Sequence, residues 1–188
     1  MKKFRLLIAA AILSMMFSFL AIQPPAYAAT DHVDRVTKGD VIKILYGGAK
    51  AGTMKDYQRA AITPLASHNG AHFCVDDWHL VRVGLGENID YVTTFTKDQV
   101  IDDLKSYTVT LYLDGVVLPS KRAPLFTTIA ADGTKIWWFQ YGSILAPADI
   151  SVGDHTASVL FSNPTYGDDF LTSTFTVDPS GTGVCLQP

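Results

Sequence analysis

Tyr107, Val109, Leu111 and Leu113 alternate with Thr108, Thr110 and Tyr112. This period-two pattern belongs to a strand with one face toward a core, and Asp114-Gly115 then turns the chain into Val116-Val117-Leu118. Two more hairpins follow. Leu125 to Ala130 and Lys135 to Tyr141 flank Ala131-Asp132-Gly133, and Thr156 to Ser162 pairs with Phe170 to Val177 across a Gly-Asp-Asp turn. Upstream, Val41 to Tyr46 (VIKILY) reads as a first strand closed by Gly47-Gly48, and WHLVRVGL from Trp78 and YVTTF from Tyr91 read as two more, broken by Gly-Glu-Asn. Helix is expected in two short pieces. One lies around Lys55 to Ala61 and stops before Pro64; the other starts at Thr96, where Gln99 three residues later completes a capping box and Val100, Ile101 and Leu104 form an apolar stripe.

About eight short strands with little helix predict an all-β fold, an antiparallel two-sheet sandwich with one or two short helices in its connections. The stretch from Tyr107 to Val177, with its YTVTLYLDGVVLP hairpin, its WWF strand, the ISVGDHTASVLF entry and the closing FTV strand, resembles the Ig-like β-sandwich modules of bacterial secreted proteins. That resemblance covers under half of the chain and implies a fold, with no binding residues carried over. The antibody order of Cys, Trp and Cys is absent, because Trp78 lies four residues after Cys74 and Cys185 is almost terminal.

The ends change the picture. Lys2, Lys3 and Arg5 precede an apolar run from Leu6 to about Ile22, and Ala26-Tyr27-Ala28 supplies a small-x-small cleavage pattern, so residues 1–28 are expected to be a secretory signal peptide rather than a retained anchor. Residues 29–188 then form a single exported domain, secreted or extracytoplasmic. Three basic residues and no acid leave with the leader, so the remainder is more acidic than the chain's net −3. An acidic surface repels phosphate backbones, which argues against nucleic acid as a partner. No later stretch is apolar for long enough to insert stably in a membrane.

Cys74 and Cys185 are the only cysteines, and export places them where they close as a disulfide. The competing use of Cys74 is a metal or redox site, because HFCVDDWH gathers His72, Asp76, Asp77 and His79 around it. A secreted metal protein or hydrolase using this cluster is the alternative function. Against a blue-copper centre, no His follows Cys185 and the only Met outside the leader is Met54. No G-x-S-x-G elbow is present, and a single Glu, Glu87, stands beside Asp residues that mostly occupy turns. His155, in a Gly-Asp-His-Thr setting, reads as a polar residue opening a strand.

No catalytic residue and no cofactor is therefore expected. The candidate contact residues are aromatic: Trp137 and Tyr141 on one face of a strand, Trp138 on the other, and Tyr112 or Tyr166 nearby as a platform for a sugar ring or peptide. The leading expectation is a secreted, non-enzymatic binding module for a protein or glycan partner. A structural envelope component without a small ligand is the third reading.

Overall fold

A computed structural model describes residues 35–47, 58–88, 96–129, 133 and 135–185. Helix α1 spans Lys38–Gly47, and the strands are β1 (Ala61–Ile62), β2 (Ala71–Cys74) and β3 (His79–Asn88). Helix α2 (Lys97–Ser106) leads into β4 (Thr108–Leu113), β5 (Val116–Leu118), β6 (Lys121–Arg122), β7 (Phe126–Ile129), β8 (Lys135–Leu145), β9 (Gly153–Asn163) and β10 (Gly167–Asp178). One sheet runs β1-β3-β8-β6 with β7 also on β8; the other runs β2-β10-β9-β4-β5. Most neighbours are antiparallel, while β1 joins β3 and β2 joins β10 in parallel. The chain is an all-β, two-sheet sandwich with short helices in its connections.

The alternation read from the sequence sets the inward faces. Val109, Leu111, Val159, Phe161, Phe175 and Val177 from one sheet meet Val81, Val83, Phe139, Tyr141 and Leu145 from the other in a single core. Val100 and Leu104 of α2 join it. The Thr96 capping box is present in full: the Gln99 amide donates to the Thr96 hydroxyl, and the Thr96 amide donates to the Gln99 side chain.

The VIKILY segment is a helix, not a strand. Thr37 and Asp40 form a second capping box, in which the Asp40 carboxylate accepts from the Thr37 amide at 3.0 Å and the Asp40 amide donates to the Thr37 hydroxyl. From that start Val41, Ile44 and Leu45 fall on one side at helical spacing and are fully buried, while Ile42 and Tyr46 face outward. They pack on the outer face of the first sheet with Val36, Ala60, Leu80 and Ala123. Gly142 makes the close approach possible, since a Cβ there would lie 2.7 Å from Leu45 Cδ1 and 2.9 Å from Leu80 Cδ1. Gln140 then donates to the Ile44 carbonyl at 3.1 Å, pairing one of the last carbonyls of α1.

Of the expected helix around Lys55 to Ala61, residues 58–60 are helical and Ala61 already belongs to β1. The Tyr91 to Phe95 strand lies outside the described residues. No helix among the described residues is long and apolar enough to cross a membrane.

Candidate functional site

The HFCVDDWH segment is a structural hub whose side chains point in different directions. Cys74 is bonded to Cys185, with Cα atoms 4.9 Å apart. His72 is exposed and meets the Asp178 carboxylate at 3.1 Å. Asp76 accepts from Ser180 and pairs with Arg35 at 3.2 Å, and Asp77 is buried, accepting from the Val36 amide at 2.9 Å and facing Arg59 at 3.5 Å. Burial pushes the Asp77 carboxyl pKa upward despite these partners, whereas the Ser180 hydroxyl, then Arg35, holds that of Asp76 down. His79 lies under the sheet with Nε2 on the Cys74 carbonyl at 2.9 Å and its ring edge-on to Phe73. Among the described residues no group of three or more His, Cys, Asp or Glu side chains is placed to hold a metal ion. The segment instead ties Arg35, Val36 and Arg59 on one side to the C-terminal tail on the other.

His79 makes this hub acid-sensitive. Burial lowers its pKa to about 4, so below the ordinary value of about 6.5 the unfolded chain takes up a proton that the folded chain refuses. Its contribution to stability is therefore expected to fall as pH drops from about 6.5 to about 4. Urea unfolding across that range, compared with a His79→Gln variant, checks this: the variant should lose that part of the slope.

The aromatic candidates are not brought together. Tyr141 is buried between the sheets; its position in a strand two residues from Phe139 places both rings in the core. Trp137 is half-buried at the edge of that core, and Lys97 and Lys135 lie 4.8 and 4.7 Å from its ring centroid. Trp138 lies on the opposite, outer face of the first sheet. Its ring rests over Gly86 and Gly84, where a Cβ on Gly86 would collide with it, and its indole N–H donates to Thr128 at 2.7 Å. It is half-buried.

Tyr112 and Tyr166 belong to the other sheet, so neither flanks Trp138. Tyr166 sits at the β9–β10 turn and stacks on Tyr107. Tyr112 is on the outer face of its sheet, opposite Val117 and Ser158 in the ladders, and edge-on to Phe170 at 6.3 Å between centroids. Phe170 and Val117 are each 59% exposed, and half-buried Leu160 lies between Phe170 and Thr110 in register. This apolar patch is rimmed by Thr108, Thr172 and Thr174. The strand positions of that outer face include no Lys or Arg, and Asp154 and Asp168 stand toward its two ends. Sequence reasoning named Tyr112 but missed Phe170 and Val117. Alternation separated two faces, and only the packing reveals which of them is uncovered.

A Ser-His-Asp grouping does form around His155, with Nδ1 2.7 Å from Asp114 Oδ2 and Nε2 3.5 Å from Ser151 Oγ. Nucleophilic catalysis needs a bare Nε2 to take the hydroxyl proton. Here Nε2 lies closer to the Ser151 carbonyl, at 2.8 Å, and a carbonyl oxygen only accepts. The geometry calls for an N–H at the very atom that would have to act as base.

No family model matches the chain, and no curated protein matches it in sequence. Among solved structures it is similar to a cysteine protease inhibitor from Entamoeba histolytica, with 14% identity, 67% of this chain and 99% of that chain covered, and a TM-score of 0.29. A likeness of that size carries no functional argument for the present chain.

Proposed function

We propose that the domain is an exported, non-catalytic module that binds another protein through the outer face of the β2-β10-β9-β4-β5 sheet. The observation that supports this reading is an asymmetry between the two sheets. The outer face of one is covered by α1 around Leu80 and Gly142, whereas the other presents Phe170 and Val117 largely to solvent around Tyr112. Exposed apolar clusters with a polar rim are the usual form of a protein contact. The carboxylates toward its ends and the absence of Lys and Arg from its strand positions favour a partner with an apolar centre and basic groups at its margin. Export rests on the leader pattern at Lys2 to Ala28 and on the disulfide.

Phe170→Ser is expected to leave the fold intact and to weaken partner binding by about tenfold or more, the size of a central aromatic contact. Paired capture from the secreted fraction with wild-type and Phe170→Ser protein, each first checked by circular dichroism, tests this. A partner held equally by both would overturn the assignment of this face.

A second reading is favoured by Trp138, whose ring lies flat on a glycine bed in the manner of a stacking platform for a sugar. Glycan binding abolished by Trp138→Ala and untouched by Phe170→Ser would establish it in place of the first.

A further inference from the structure

His155 opens β9 with its ring 9% exposed and stacked on Phe175. Both ring nitrogens face oxygen: Nδ1 meets Asp114 Oδ2 at 2.7 Å, and Nε2 meets the Ser151 carbonyl at 2.8 Å. A neutral imidazole carries one N–H and would leave the other nitrogen's lone pair against an acceptor; the imidazolium donates to both. The acceptor on the Nδ1 side is itself fixed. Asp114 holds a left-handed backbone, φ 50°, in the β4–β5 turn; its Oδ1 accepts from the Thr156 amide and its own amide donates to the Thr156 carbonyl, each at 2.8 Å.

We propose that His155 is a proton-controlled clasp: as the imidazolium it binds the Asp114-Gly115 turn and the Ser151 segment to the start of β9, and on losing that proton it releases the turn. The edge strand β5, which carries the exposed Val116 and Val117, leaves directly from that turn, so the same proton governs how firmly this edge is held. The charged groups acting on the ring are Asp114 from the β4–β5 turn and Asp154 from its own strand, while β10 contributes the uncharged Phe175. Burial works against the charge, but the bonds to Asp114 and Ser151 and the two carboxylates outweigh it, and the net direction is upward. A raised folded-state pKa adds stability that is complete below the unfolded value of about 6.5 and lost as pH rises through the folded one. The clasp does not depend on what the neighbouring face binds.

Nitrogen-15 NMR of the histidine rings in the full domain, with amide exchange of Thr156 measured relative to Val159, provides the test. His155 is expected to carry protons on both nitrogens at pH 6 and to titrate above free histidine. Thr156 exchange should quicken about tenfold relative to Val159 across the same midpoint, the loss of one charge-assisted bond. Asp114→Asn should lower that midpoint, and His155→Gln should remove the pH dependence of Thr156 exchange. A neutral His155 at pH 6, or Thr156 exchange that ignores the titration in the wild-type chain, would overturn the clasp.

Discussion

Replacing Cys74 and Cys185 together by alanine is expected to lower the unfolding free energy by about 4 to 5 kcal/mol. The two residues are 111 apart in sequence, and a cross-link closing so long a loop removes that much chain entropy from the unfolded state. The native chain depends on it locally as well. Among the described residues β2 is an edge strand paired with β10, and the tail beyond Asp178 is held by the Val184 amide on the Asp178 carboxylate and by the bonded sulfurs. Without the bridge, the β2 edge and the Gly183–Cys185 turn should exchange amide protons first. Urea unfolding of the double variant measures the loss, and thiol labelling before and after reduction of the wild-type chain reports the bridge itself. An unchanged midpoint would mean that the unfolded chain is compact enough for the bridge to constrain nothing.

Ile44→Ala is expected to cost about 2 to 5 kcal/mol, and Ile42→Ala well under 1 kcal/mol. The contrast matters more than either number. In a strand, residues 42 and 44 share a face and would suffer alike; in the observed helix Ile44 is fully buried against Leu80 and Ile42 is 38% exposed. The Ile44 side chain has no route to collapse, because α1 is held by its cap at Thr37, by Gln140 on its Ile44 carbonyl and by the Leu45 contact over Gly142. Thermal unfolding of the two variants side by side tests this, and equal losses would refute the packing of α1.

The same helix shows why part of the fold was illegible. Val41 to Tyr46 is rich in β-branched and aromatic residues, and that propensity outweighed a Thr-x-x-Asp signal immediately before it, which is the pattern that starts a helix. A surface of Leu80, Ala123 and Gly142 waiting for Val41, Ile44 and Leu45 settled the matter, and those three partners come from β3, from the residue after β6 and from β8, far along the chain. The surroundings of the aromatic strand were illegible for a related reason. Trp137, Trp138 and Tyr141 were assigned to two faces correctly, but which side of each face met core, cation or solvent depended on Lys97, Lys135 and two glycines of β3.

What the sequence by itself determined were the features whose cause is local or combinatorial. Turn residues and period-two alternation located β4, β9 and β10; Thr96 and Gln99 located α2; and two cysteines leave one possible intramolecular bridge. Tertiary structure alone decided which outer face is covered, which of Tyr112, Phe170 and Trp138 stands in solvent, and that His155 meets Asp114 across 41 residues. Exposure and partnership are properties of what packs opposite a residue, and no local pattern carries that information.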